Sequence, residues 1–221
     1  VASLEAIETL RGQHNVQNAL AALTALRALA DVTAAIGTTG GATDPAVWSP
    51  DKLRSALQSF PGLAHRLEIV GQVDGVLFVN DSKATNAEAA EKALLAFDGR
   101  IHWIAGGVAK DGGISSLEPL FGRVASAHLI GEAAPAFGEV LRGHTDVQLS
   151  GTLERAVADS FSAAQASRAE SDATGPVVLL SPACASFDQY KNFEVRGDAF
   201  KQLVQSLPGF KPVGGLNRRS Q

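Results

Sequence analysis

The chain has 221 residues, of which 45% are hydrophobic and 19% charged, with a net charge of -4 at neutral pH. That length suits one large domain, or one ordinary domain with part of another, and the apolar share supports a packed core and argues against disorder. The acidic balance gives no reason to expect nucleic acid or an anionic membrane as partner, the single cysteine excludes an internal disulfide and points to a reducing cytoplasm, and no apolar run approaches the ~18 residues of a bilayer-spanning helix.

In chain order, residues 1–11 carry a short Leu/Ile/Glu pattern that reads as the last strand of a sheet. Methionine is absent and the chain starts at Val1, from which a fragment is expected. An Ala/Leu-rich run predicts a helix over Gln13–Ala30, with Asn15, Asn18, Ala22 and Leu26 near one another on its surface. Gly37 to Thr43 reads as a loop. Ser49-Pro50-Asp51 reads as helix cap, first-turn proline and first-turn acid, so a helix is predicted over Pro50–Ser59. Phe60-Pro61-Gly62 stops it and marks a domain boundary.

Beyond Arg66 the pattern changes. Leu67–Val73, Asp74-Gly75 and Val76–Val79 form a β-hairpin signal. A helix is predicted over Asn86–Phe97, and strands and helices then alternate. The strands fall at Arg100–Ala105, Ala127–Ile130, Val147–Leu149 and Val177–Leu180. The helices fall at Ser116–Val124, Ala134–Leu141, Leu153–Arg168 and Asn192–Leu207. This alternation predicts an α/β fold with a mostly parallel sheet covered on both faces. Pro208–Gln221, rich in Gly, Pro and Arg, reads as a loose tail.

Ligands of open α/β sheets sit beyond the carboxyl ends of the strands. Three polar segments fall there, Asn80–Asn86, Gly106–Gly113 and Ser181–Phe187, so they are expected to converge in space. Asn80–Asn86 packs Asp81, Lys83 and Thr85 together. It suits a ligand contact and an ordinary helix-capping turn equally. Gly106–Gly113 sets four glycines around Lys110-Asp111 without the spacing of a Walker phosphate loop, and by itself fits a flexible connection at least as well as an anion cradle. Ser186 precedes a helix start whose amides can hold a carboxylate. Cys184 reads as a buried thiol rather than a nucleophile, because no histidine is provided as its base. His65-Arg66 lies at the boundary, where an arginine either forms a surface ion pair or reaches a phosphate. The five histidines lack metal-ligand spacing.

Gly12-Gln-His-Asn-Val-Gln-Asn18, Gly62-Leu-Ala-His-Arg66, Asn80-Asp-Ser-Lys-Ala-Thr-Asn86, Gly106-Gly-Val-Ala-Lys110 and the run from Leu180 to Gly197 occur in one order over residues 12–207. Together they make the chain resemble the Mur ligases, and the long last run resembles the D-glutamate-adding branch. The resemblance implies residues 1–62 as the end of a central ATP-binding domain and 63–207 as a Rossmann-like C-terminal domain. It implies an ATP-dependent amide ligase joining D-glutamate to UDP-N-acetylmuramoyl-L-alanine through an acyl phosphate, in peptidoglycan precursor synthesis. Asn15, Asn18, His65, Arg66 and Asp81 would approach the nucleotide. Lys83, Thr85, Lys110, Ser186 and Phe193 would line the D-glutamate site, with Arg66 and Lys110 as the catalytic pair. ATP and Mg2+ are the implied cofactors. The phosphate loop, the magnesium ligands and a carbamylated lysine are expected upstream of Val1, so the chain alone is expected to be inactive. A cytoplasmic monomer with small-molecule partners is expected, without nucleic acid or membrane.

Other readings are a sibling Mur ligase or folylpolyglutamate synthase, and a non-catalytic ligand-binding module. A dinucleotide-dependent oxidoreductase would want GxGxxG after a first strand, and that motif is missing.

Overall fold

The computed structural model describes residues 13–35, 49–98, 100–167 and 175–212. The strand expected over 1–11, the loop expected from Gly37 and residues 213–221 lie outside them. The chain divides into two compact units, Val1–Gly62 and Leu63–Gln221. The first holds α1 (Gln13–Ala35) and α2 (Pro50–Ser59). The Ser49 hydroxyl caps α2 by accepting the Lys52 amide at 3.4 Å, and Pro50 occupies a position whose missing N–H has no helical partner to lose. On α1, Asn15 is half-buried and Asn18 exposed.

The second unit begins with the hairpin β1 (Glu68–Val73) and β2 (Val76–Asn80). Asp74 and Gly75 turn it at φ 49 and 78, the left-handed pair that matches the twist of a two-residue hairpin. Then come α3 (Ala87–Leu94), β3 (Ile101–Gly106), β4 (Val108–Ala109), a 3-10 helix over Ser115–Arg123, β5 (Val124–Ile130), α4 (Ala134–Leu141), β6 (Asp146–Gly151), α5 (Leu153–Ala166), β7 (Val177–Leu180), β8 (Cys184–Ala185) and α6 (Phe193–Gln205). The helix expected over Ser116–Val124 is thus a 3-10 helix. Pro119 inside it cannot donate a ladder bond, and Val124 already belongs to β5.

Six strands form one sheet in the order β1-β2-β7-β3-β5-β6, with β1 antiparallel and the others parallel. Val79, Trp103, Ala127 and Leu179 pack on one face with Leu94, Phe121 and Phe137. Phe78, Ile104, Ile130 and Val178 pack on the other with Val157, Phe200 and Val204. Alternate residues of each strand thus serve opposite cores, the period that a covered parallel sheet requires.

Residues 208–212 do not belong to a loose tail. Gln72 and Lys211 exchange two backbone hydrogen bonds of 2.8 Å, which lays this segment along the outer edge of β1. Phe210 fits over Gly71, where an added Cβ would come within 2.3 Å of the ring.

A polar chain runs through the face under α5. His102 Nδ1 lies 2.8 Å from Ser126 Oγ, which lies 2.8 Å from His128 Nε2, and His102 Nε2 lies 3.0 Å from Ser167 Oγ. Burial pushes both imidazoles down to about 4. The folded state therefore binds these protons less readily than the unfolded chain. The stability they contribute is whole above pH ~6.5 and is lost as pH falls towards 4. Urea midpoints should drop over that window, and the drop should be shallower in His102→Gln/His128→Gln. A double variant with as steep an acid slope as the parent would place the effect elsewhere.

Candidate active site

Because β7 lies between β2 and β3, the segments that follow these three strands emerge side by side. Backbone bonds stitch them together. Asp81 N–H donates to Leu180 O at 2.7 Å, Ser181 N–H to Ile104 O at 3.2 Å and Gly106 N–H to Pro182 O at 2.9 Å. The buried indole of Trp103 donates to Ser181 O at 2.7 Å. A two-stranded ladder that sequence reasoning missed pairs Val108 with Ala185 and Ala109 with Cys184. It carries Lys110 towards the segment of Ser186. Two-residue strands lack any period, so no pattern announces them. Gly106 and Gly107 sit at φ 121 and 125, and added Cβ atoms would lie 2.0 Å from Ile130 O and 2.2 Å from Ala185 O. Only glycine allows that approach.

Asp81 is buried and accepts hydrogen bonds from Ser181 Oγ at 2.8 Å and Leu67 N at 3.2 Å. Burial pushes its carboxyl up to about 7, against those two bonds and the charge of Arg66. Arg66 itself is exposed. His65 is buried at φ 62, with Nδ1 3.1 Å from the Asn80 amide and its ring edge-on to Phe193 at 6.0 Å. The imidazole is thus held between the Asn80 amide and the Phe193 ring. Lys83 is exposed and holds its ammonium 4.1 Å from the centre of the Phe193 ring, a cation–π contact. Thr85 is half-buried and Lys110 exposed. Phe193 opens α6 behind Asn192, whose side chain caps the helix by accepting Val195 N–H at 2.9 Å. Ser186 is buried, and its hydroxyl has no partner among the described residues.

Asp81, Lys83 and Thr85 thus follow β2, Lys110 follows β3 and β4, and Ser186 follows β7, so adjacent strand ends carry them, while Phe193 at the start of α6 meets Lys83 and the His65 ring. Asn15 and Asn18 belong to the other unit. The Cys184 thiol is fully buried and pushed up to about 12, as a core thiol should be. Among the described residues no group of three or more His, Cys, Asp or Glu stands ready for a metal, and no helix is long and apolar enough to cross a membrane.

Sequence reasoning assigned no role to Asn80 or Arg196. The Asn80 amide reaches Glu68 Oε2 at 2.9 Å and Gly197 O at 3.3 Å besides His65. Arg196 is buried with Phe200 and Val204 on one face of α6. That signal was available, because a cation in an i, i+4, i+8 apolar stripe is out of place unless the fold supplies acceptors.

A family model described as Mur ligase, glutamate ligase domain, matches residues 65–184. The UDP-N-acetylmuramoylalanine–D-glutamate ligase of Mesorhizobium japonicum is 54% identical over 216 residues, covering 97% of this chain and 41% of the relative. The ligases of the same name from Agrobacterium fabrum and Brucella abortus are 53% and 52% identical, covering 93% and 97% of this chain and 39% and 42% of their own lengths. The chain thus spans about two fifths of the length of the curated relatives it matches.

The burial of Asp81 has a measurable sign. Its folded pKa lies above the value of an unfolded aspartate, so the stability tied to its proton is complete below pH ~4 and is lost as pH rises through 7. Denaturation should show a loss of stability in the parent, relative to Asp81→Asn, that runs from pH ~4 to ~7 and then levels off. A parent and an Asn variant with the same pH profile would show that the Asp81 pKa is not raised on folding.

Proposed function

The chain belongs to the Mur ligase family, and from that premise we propose that it supplies the D-glutamate-binding part of an ATP-dependent ligase acting on UDP-N-acetylmuramoyl-L-alanine. The observation that carries this reading is the identity of 54% over nearly the whole chain to a D-glutamate ligase. The geometry agrees with it. D-glutamate presents two carboxylates, and gripping both at once needs donors from separate elements. One corner would be formed by Lys83, Thr85 and Lys110. The other would be the Ser186 hydroxyl, which has no partner among the described residues, together with the helix-start amide of Phe193.

In the family's reaction a carboxylate attacks the terminal phosphorus of ATP, ADP departs, and the amine of D-glutamate attacks the acyl phosphate and expels phosphate. The proposed task of this chain is to hold that amine in line. Arg66 would present its planar fork to the transferring phosphoryl group, and Asp81 would accept a ribose hydroxyl. His65, wedged between Asn80 and Phe193, would position Arg66. Asn15 and Asn18 would approach the nucleotide from α1. Magnesium, when bound, supplies charge neutralisation on the phosphates. None of the described acidic or imidazole side chains is grouped to hold it, so these residues are assigned to the amino acid and the nucleotide alone. A cytoplasmic monomer with small-molecule partners completes the reading.

Phosphate release should be measured in the enzyme that carries this chain. Turnover should require D-glutamate, and Lys110→Ala and Ser186→Ala should each raise its KM by ~10- to 150-fold, the cost of one charge-assisted hydrogen bond, while the KM for ATP hardly moves. Dependence on another amino acid would redirect the assignment to a sibling ligase. Equal damage to both KM values would remove these residues from the amino-acid site.

Arg66→Ala should lower kcat by ~100-fold or more, with partial recovery in Arg66→Lys, since a point charge cannot reproduce the fork. Normal turnover with reduced stability would instead make Arg66 a surface ion-pair residue.

A further inference from the structure

Arg196 is 1% exposed, yet among the described residues its guanidinium donates to a hydroxyl and two carbonyls and to no carboxylate. Nε donates to Ser82 Oγ at 3.0 Å, and Nη2 donates to Ser82 O and Cys184 O, each at 3.0 Å. Ser82 Oγ in turn donates to Phe193 O at 2.8 Å. Nη1 has no partner among the described residues. It lies under Gly107, where a Cβ would stand 3.3 Å away, so that glycine leaves the room the guanidinium fills.

These contacts have a common geometry. Ser82 sits between Asp81 and Lys83 in the turn after β2. Cys184 opens β8, two residues before Ser186, in the segment after β7. Phe193 opens α6, and Gly107 begins the segment that leads to Lys110. One side chain thus bonds or abuts all the segments that bear the proposed D-glutamate contacts, from beneath. Stability alone does not call for a cation at such a place, because a well-packed apolar side chain of similar volume is often as good. What an apolar side chain could not do is fix the carbonyls of Ser82 and Cys184 and the Ser82 hydroxyl at set distances from one point.

We propose that Arg196 is the positioning residue of the amino-acid site, holding these turns and the first turn of α6 in the spacing that grips both carboxylates. The proposal rests on the reading that the cradle takes D-glutamate. Burial lowers the guanidinium to about 10, so it stays charged at neutral pH and adds a positive field under a site for a dianionic side of the substrate.

The test uses the enzyme that carries this chain, with KM for the amino acid and for ATP measured beside thermal stability. Arg196→Met should raise the KM for D-glutamate by ~10-fold or more, as the loss of a charged hydrogen bond does, with the KM for ATP nearly unchanged. Arg196→Lys should recover part of that loss, because an ammonium can hold some of the acceptors but not all in one plane. Ser82→Ala, a gentler change, should shift the same parameter in the same direction by less. Combined with Arg196→Met it should add little, since both act through one network. A folded Arg196→Met enzyme with an unchanged D-glutamate KM, or with both KM values raised alike, overturns the proposal. Should Arg196→Met fail to fold, an unchanged D-glutamate KM in Ser82→Ala overturns it equally. If the parent enzyme consumes a different amino acid, the D-glutamate reading fails by itself, and the same split read for that amino acid still decides the role of Arg196.

Discussion

The insertion of β7 between β2 and β3 is the constraint on which the rest of this unit depends. The pairs Leu77–Val177 through Asn80–Leu180 on one side, and Ile101–Val177 through Ile104–Leu180 on the other, bring the last strand of the sheet into its middle. Each strand ends in a polar segment, and these three strands are adjacent and parallel. Groups separated by about a hundred residues along the chain, such as Ser181 and Asp81, therefore bond directly. A sheet in which β7 joined at an edge would scatter the same residues over its rim, and no loop adjustment could regather them. The glycines, the Trp103 indole and the short β4–β8 ladder refine a proximity that strand order has already created.

That proximity is held rigidly, and at a cost. His65, Leu67 and Ala183 all lie in the left-handed region, which is unfavourable for residues with a Cβ and occurs where surrounding structure over-determines the backbone. A carboxyl and a guanidinium, Asp81 and Arg196, are buried without forming an ion pair with one another. Each is kept in place by neutral donors or acceptors from a different segment. Such preorganisation makes a site ready for a charged ligand before it arrives, because little reorganisation remains to be done on binding.

The fold was legible in the sequence wherever periodicity was long. The helix expected over Leu153–Arg168 is observed over Leu153–Ala166, and Val177–Leu180 and the Asp74-Gly75 turn follow directly from pattern and turn chemistry. The 3-10 helix around Pro119 was not legible as such, because the same apolar spacing serves one or two turns of either helix. Site residues were legible where several polar types crowd a strand end, as at Asp81, Lys83 and Thr85. Arg196 was not, because its meaning depends on acceptors contributed by Ser82 and Cys184, which are distant in sequence. His65 was legible as a site neighbour but not as a buried wedge, since Gly197, which encloses it, lies on α6, far away in sequence. An added Cβ at Gly197 would fall 2.2 Å from the His65 Nδ1 atom.

The segment that crosses Gln72 has a consequence beyond the packing of Phe210. β1 is a terminal strand of the sheet, and its outer amides and carbonyls would otherwise form an open template for strand addition by another molecule. Lys211 occupies part of that template with the chain's own backbone and sets a charged side chain beside it. Lys211 thus leaves less of that edge open to intermolecular β-pairing. A version cut just after Leu207 would keep every site residue and expose a sticky edge. Its failure would be seen as self-association and loss from solution, before any change in chemistry.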